Sequence, residues 1–307
     1  MTAPPSNTTG LAEPIDRSRR RSSAVGAVRV RDSVTSYGVL TVVSAILAAP
    51  FVFMVSIALS SDASVQKAAF TLIPREFEVG NFVRVLASDA QMGRWILNSL
   101  VIVVFACLGQ MFVSAMAAYA FARLRAPGRS VLFAVLLSTM MVPAEVTIIP
   151  QFVLFRGLGW IDTLLPLIVP SLFGGAYNIF LMRQFVTRIP SELDEAAQVD
   201  GLGYFGIFVR IILPLMKPVL VAVGVFSFSF SWGWFFGPLI YLNTESKYPL
   251  ALGVQFLAGT STNAQTPPYN LVMVGALFLT LPMAAVYFFS QRYIYQVNLS
   301  TGSAGIR

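Results

Sequence analysis

Histidine is absent from the 307 residues, and cysteine occurs once, at Cys107. These absences exclude a His-based general base, a His-containing catalytic triad, an imidazole metal site, an intrachain disulfide and a CxxC centre. No metal site is expected. Lysine is almost as scarce: Lys67, Lys217 and Lys247 follow Gln, Met and Ser. No Gly-Lys-Ser/Thr phosphate loop exists, so the chain carries no recognisable ATPase engine. Charged residues make up only 11%, against roughly 25% in an ordinary soluble domain. The formal charge is nevertheless +7. No basic, aromatic-interleaved stripe lies outside the apolar segments, so no nucleic-acid partner is expected. Basic inner loops of a membrane protein account for the same excess.

What is abundant is apolar: 56% of the residues are hydrophobic. A spanning helix needs about 20 such residues, because the hydrocarbon core is about 30 Å thick and a helix rises about 1.5 Å per residue. Six stretches qualify, approximately 34–59, 96–121, 130–149, 164–185, 219–242 and 270–290. The predicted class is an all-α polytopic membrane protein with six transmembrane helices. Pro143 and Pro150 interrupt the third stretch, and Pro166, Pro170, Gly174 and Gly175 the fourth. Such breakers persist in a bilayer where neighbouring helices or a polar cavity satisfy the freed backbone groups.

Six spans put both termini on one side. With the N-terminus inside, 15 of the 21 Lys and Arg fall on that side, so the positive-inside rule places both termini in the cytoplasm. Residues 1–33 are rich in Ser, Thr, Pro and Arg and read as a disordered basic tail. The Ser18-Arg19-Arg20-Arg21 run is not an export signal, because the apolar run after it is too long for a cleavable one. Residues 296–307 form a second cytoplasmic tail. The outer loop from Ser60 to about Trp95 carries equal acid and base. It is expected to cover the mouth of the bundle or to touch an external partner.

One soluble segment has a specific pattern, the loop 186–218. Within it Ser191 is a predicted N-cap, with Asp194 three residues on approximating a capping box. Glu192, Asp194 and Glu195 occupy the first turns, where acids favour the helix dipole. Gly201 is a natural stop. Ala196 and Ala197 offer a face small enough to enter a partner's groove, with the carboxylates toward a basic rim. A second helix from about Tyr204 to Ile212 returns to the membrane at Pro214 and Pro218.

Glu195-Ala196-Ala197, three residues, Gly201, nine residues, then Ile211-x-Leu213-Pro214 resembles the signature of the membrane subunits of binding-protein-dependent ABC importers. The resemblance covers about residues 35–295 and is similar to the maltose-type carbohydrate branch. Further landmarks are Asn81, Asn98-Ser99, Pro143, Ile149-Pro150, Asp200-Gly201, Trp232 with Pro238, and Gln291-Arg292-Tyr293. It implies a type I importer (MetI-like) permease fold over 34–295 with a cytoplasmic coupling helix, Ser191 to Gly201, seated in a cleft of an ATPase subunit. The implied partners are a homologous permease subunit, two ATPase subunits, an extracytoplasmic solute-binding protein and the lipid of a prokaryotic plasma membrane. ATP and Mg are implied on the ATPase subunits, with no cofactor on this chain. The coupling set is then Ser191, Glu192, Asp194, Glu195, Ala196, Ala197, Asp200, Gly201, Ile211, Leu213 and Pro214. Gly233 stands where the family often has Asn after the fifth-span Trp.

For the translocation pathway, Glu145 is the only carboxylate inside the six stretches, and intramembrane acids are functional candidates by default. In the fifth stretch Ser227 and Ser231 share a helical face, and Trp232 and Trp234 offer apolar faces to sugar rings. Asn178 and Tyr177 in the fourth are further candidates. The competing expectation for each is ordinary packing. Gly109 and the small residues of the run Ala115 through Ala118, Ala117 among them, read as close helix contacts, and Cys107 as a small apolar filler. The leading expectation is a non-catalytic importer permease for a sugar or sugar derivative. An ion-coupled secondary transporter is the alternative, though it would call for more intramembrane acids or a His relay.

Overall fold

Apolar runs of this length become helices because only a helix satisfies its own backbone within lipid. The computed structural model describes residues 17–66, 74, 76–87, 91–259 and 268–302. Its helices are α1 (Arg17–Ala58), α2 (Asp62–Gln66), α3 (Gly80–Ala87), α4 (Met92–Arg123), α5 (Arg129–Thr139), α6 (Ala144–Gly157), α7 (Leu165–Ile168), α8 (Ala176–Val186), α9 (Glu192–Val199), α10 (Tyr204–Ile207), α11 (Leu213–Leu215), α12 (Lys217–Gly233), α13 (Phe236–Tyr241), α14 (Leu250–Gly259) and α15 (Tyr269–Gly302). Short 3-10 turns at Val169–Phe173 and Glu245–Lys247 and a π-helical turn at Phe208–Ile212 join them. No strand occurs among the described residues, as the all-α expectation requires.

Among the described residues four stretches are long and apolar enough to cross a bilayer alone: Ser36–Ala58, Met92–Arg123, Leu165–Val186 and Tyr269–Tyr293. Two bent pairs bring the total to six if each is one span: Arg129–Thr139 with Ala144–Gly157, bent by 98°, and Tyr204–Leu215 with Lys217–Gly233, bent by 77°. The break expected at Pro143 is present and is a sharp one. Pro143, in an extended conformation with ψ 136, ends one helix and starts the next. α6 then runs through Pro150 to Gly157, past the expected end at Ile149. The fifth helix stops at Gly233, not near Leu242, because Trp234 is extended with ψ 116 before the short α13 resumes.

The ends differ as well. α1 begins at Arg17, so the stretch 17–33, expected to be disordered, is helical. No proline separates it from the span, and its Arg, Ala and Ser residues tolerate a helix. Residues 1–16 lie outside the described residues, and so do 303–307. α15 passes through the expected start of the C-terminal tail to Gly302. The chain divides into two units, residues 1–53 and 54–307, and the site belongs wholly to the second.

Within that unit one hydrophobic cluster joins Ala115 and Tyr119 of α4, Met182 and Val186 of α8, and Val219 and Val223 of α12. A second joins Met92 and Trp95 of α4 to Trp232, Leu250 and Val274. Gly109 packs against the backbone of the Val169–Phe173 turn. A Cβ there would lie 2.6 Å from the Leu172 Cα and 2.9 Å from the Ser171 carbonyl oxygen, both backbone atoms that cannot step aside. The expected packing role of Gly109, Ala115 and Ala118 matches this placement, since both alanines are fully buried.

Overpacking costs roughly 1–3 kcal/mol, so Gly109→Val should lower the unfolding midpoint of the detergent-solubilised protein by several degrees. Gly93→Ala, on the same helix with nothing within 4 Å of its added Cβ, should leave the midpoint in place.

Candidate functional site

The loop 186–218 places its first helix, α9, by contacts at both ends. Ser191 has helical dihedrals, with ψ −20, and its hydroxyl makes no capping bond. The predicted capping box is not formed, because the Asp194 carboxylate turns away from the helix start. Instead the Asp194 and Glu195 amides donate to the Ser191 carbonyl at 3.0 and 3.1 Å. The C-terminal stop is as predicted. Gly201 adopts φ +84, Gly201 N donates to Gln198 O at 3.0 Å, and Leu202 N to Ala197 O at 2.9 Å. This pair of bonds is a Schellman closure, which needs a residue at ease in the left-handed region.

The two alanines do not share a face. Successive residues of a helix point about 100° apart, so Ala197 is buried while Ala196 is exposed. The inner face of α9 is Asp194 and Ala197. The outer face carries Glu192, Glu195 and Asp200 beside Leu193, Ala196 and Val199, the last 88% exposed. Tyr204 and Phe205, 61% and 72% exposed, continue it. An apolar patch rimmed by carboxylates is suited to protein docking.

Beside the packing of Ala197, an ion pair attaches α9 to the bundle. Arg123 Nε at the end of α4 stands 2.9 Å from Asp194 Oδ2, with side-chain exposures of 14% and 10%. Arg123 Nη2 also donates to the Ile189 carbonyl, so one guanidinium holds both the helix and the chain leading into it. Burial raises the Asp194 carboxyl above its ordinary range, Arg123 opposes this, and Glu195 adds to it. Alongside, Arg183 Nε donates to Phe121 O at 3.3 Å and its guanidinium lies 4.2 Å from the Phe133 ring centre.

The return limb packs through residues that the motif does not name. Ile211 and Leu213 are half-buried and Pro214 is exposed. Ile207, Ile212 and Met216 are fully buried, and Phe208 nearly so. A 3.6-residue period does not link Phe208 to Ile212 and Met216 on a common face with Ile207. The π-helical turn at Phe208–Ile212 adds the extra residue that aligns them, a shift that periodicity alone does not signal.

The pathway candidates are not gathered at one point. Glu145 is exposed in the first turn of α6. Trp232 is 3% exposed, donates Nε1 to Leu279 O at 2.9 Å and stacks on Phe228 at 5.6 Å. It belongs to the packing of α12 on α15 and shows no face to a solute. Trp234 is half-buried beyond the helix break, 5.5 Å from the Phe230 ring. Ser227 is buried with its hydroxyl unpartnered, and Ser231 is half-buried. Asn178 Nδ2 donates to Gln110 Oε1 at 2.8 Å. Cys107 is half-buried with Sγ 3.7 Å from Gly224 O. Among the described residues no group of three or more His, Cys, Asp or Glu side chains could hold a metal ion.

At the opposite ends of these helices lies a polar clamp that sequence reasoning missed. Asp162, at φ +59, accepts from the Asn243 and Thr244 amides at 2.9 Å, from Thr244 Oγ1 at 2.6 Å and from Lys247 Nζ at 2.7 Å. Its burial favours the neutral acid, but the bonds from Lys247, Thr244 and the two amides outweigh that and hold the carboxyl well below its ordinary range. The same segment is gripped from α4, where Asn98 Nδ2 donates to Ser246 O and Tyr248 O at 3.0 Å and Ser99 Oγ accepts from Leu250 N at 2.7 Å. Asn81 Nδ2 ties the end of α1, donating to Ala58 O and Ser60 O at 3.0 and 2.9 Å. Asn81 and Asn98-Ser99 were visible as landmarks. Asp162 had no signal, because its partners lie about 80 residues away.

Residues 110–297 match the sequence family described as "binding-protein-dependent transport system inner membrane component". The chain is 32% identical over 220 residues to the arabinooligosaccharides transport system permease protein AraQ of Bacillus subtilis (strain 168), covering 72% of this chain and 76% of that protein. It is 31% identical over 269 residues to the lactose transport system permease protein LacG of Rhizobium radiobacter, covering 87% and 95%. Among solved structures it superposes on a chain of a bacterial ABC transporter involved in the import of the acidic polysaccharide alginate. The TM-score is 0.74 at 24% identity, covering 92% of this chain and 99% of that one, a likeness of fold.

Removing one partner of a buried ion pair costs about 3 kcal/mol, and replacing both with apolar residues far less. Arg123→Leu should therefore speed amide hydrogen exchange across 192–201 by roughly a hundredfold. Arg123→Leu combined with Asp194→Leu should restore most of the protection, read by mass spectrometry of the detergent-solubilised protein.

Proposed function

The chain belongs to the binding-protein-dependent transport system inner membrane component family, and on that premise we propose that α9 is its coupling helix, docking in a cleft of an ATPase subunit. The observation that carries this reading is the division of α9 into two faces. Its inner face is fixed to α4 through Arg123 and Asp194. Its outer face is apolar, rimmed by Glu192, Glu195 and Asp200, and exposed among the described residues.

A helix held this way moves with the bundle. Closure of two ATPase subunits around ATP and Mg pulls α9, and the Arg123–Asp194 tie passes that displacement to the end of α4. Buried Ile207, Ile212 and Met216 pass it to α12. Packed elements shift as units between discrete arrangements, so a displacement of one short helix switches the access of the pathway. The chain itself hydrolyses nothing. It pairs with a homologous permease subunit, receives solute from an extracytoplasmic binding protein, and keeps the loop 186–218 and both termini in the cytoplasm of a prokaryotic cell.

The solute is a sugar or oligosaccharide. Relatives that match most of this chain carry the names of arabinooligosaccharide and lactose transport systems. The ion-coupled alternative gains nothing from the structure, since Glu145 is solitary and exposed.

Glu195→Lys reverses a charge on the outer face of α9 and leaves the inner face alone. Co-purification with the cognate ATPase should fall at least tenfold, and ATP-dependent uptake in liposomes should fall with it. Unchanged assembly and uptake would remove Glu195 from the contact. Uptake by the purified chain alone, driven by an ion gradient, would overturn the subunit assignment.

A further inference from the structure

Two spans bring a set of uncommitted polar atoms together near the middle of their lengths. Gln110 lies near the middle of α4, and the span Leu165–Val186 is broken near its own middle at Gly174 and Gly175, with Gly174 at φ +77. The break frees backbone groups, and Gly175 N meets Ser114 Oγ at 3.4 Å. A Cβ on Gly175 would lie 2.9 Å from Gln110 Oε1, so glycine is what admits the amide over the broken backbone. There Gln110 accepts a hydrogen bond from Asn178 at 2.8 Å.

That bond uses half of each amide. Gln110 Nε2 and Asn178 Oδ1 make no further hydrogen bond to a described residue, and both side chains are half-exposed. Whichever way round the two amides are turned, one donor group and one acceptor remain unspent. Tyr177, the chain neighbour of Asn178 in the first turn of α8, and Phe226 of α12 are 51% and 42% exposed and hold their ring centres 6.3 Å apart. Charges on α4, α8 and α12 are confined to the helix ends, at Arg94, Arg123, Arg183 and Lys217.

Open amide groups facing hydrocarbon would be costly, which argues that this surface faces a polar route. A ligand suited to it supplies donors and acceptors in equal measure, carries no charge and has apolar faces for two aromatic rings. We propose that Gln110, Asn178 and Tyr177, set around the Gly174–Gly175 break, are a contact for a neutral polyhydroxylated solute on the translocation route. The solute class rests on the sugar reading of the preceding subsection; the placement rests on the geometry alone.

The test uses the whole importer, with its permease partner, ATPase and binding protein, in liposomes, with radiolabelled lactose and arabinotriose as probes. In such a system the KM follows the binding protein, so a contact within the membrane is read as solute accumulated per ATP hydrolysed. Gln110→Leu with Asn178→Leu keeps side-chain volume and removes both amides. Each lost hydrogen bond to a neutral hydroxyl is worth several-fold, so accumulation per ATP should fall roughly tenfold with unchanged yield of assembled complex. The exchange Gln110→Asn with Asn178→Gln keeps both amides and should recover much of the loss. Unchanged accumulation per ATP would overturn the proposal. So would loss of assembled complex, which would assign the patch to a subunit contact. If the wild-type complex accumulates neither probe while still assembling with its ATPase, the sugar reading fails, and with it the solute class named here.

Discussion

A nearly buried guanidinium at the end of α4 fixes where the loop 186–218 stands. Arg123 pairs with Asp194 and donates to the Ile189 carbonyl, so it takes hold of the first helix of the loop and of the strand of chain that enters it. Without that charge Asp194 would be left among apolar residues, at a cost far above that of losing a surface ion pair. The pair therefore acts less as a source of stability than as a register pin. It dictates which residues of α9 turn inward, and hence which acids and apolar residues are left for a partner.

The same pin explains how one short helix can direct a bundle. α9 is only two turns long and would be unstable alone. Its order comes from Ala197 packing into the cluster shared by α4, α8 and α12 and from the Schellman closure at Gly201. Because the cluster is close-packed, displacement of α9 cannot be absorbed locally and is passed to the helices around it.

Much of this was legible in the chain. The apolar runs gave the spans, since length and composition decide what crosses a bilayer. Ser191 to Gly201 stood out because acids, alanines and a glycine fell in helix order on a polar loop. The details that escaped have physical causes. Pro143 announced a break, but not that the next helix would leave at 98°, an angle set by tertiary packing. Ala196 and Ala197 could have been separated by the 100° step alone. The π-helical turn at Phe208–Ile212 shifts a buried face by one residue, and no local propensity marks it. Asp162 depends on partners far along the chain, which pattern reading does not reach. Trp232 was open to a sugar face or to packing, and it packs, because Leu279 offers its indole a carbonyl.

Within lipid, helices gain little from the hydrophobic effect against one another and are held by close contact and polar ties. In this chain the strong ties sit at the two ends of the bundle: Arg123 with Asp194 at one, Asp162, Asn98 and Asn81 at the other. Between them lie small-residue contacts, Gly109 on the Leu172 backbone and Ala115 and Ala118 in the core, and single bonds such as Trp232 to the Leu279 carbonyl and the Gly175 amide to Ser114. Gln110 and Asn178 break that pattern, sitting between the ties with half of each amide unspent beside a broken helix. Two amides left half-open between the ties, and not spent on holding the helices together, call for hydrogen bonds completed from outside the chain.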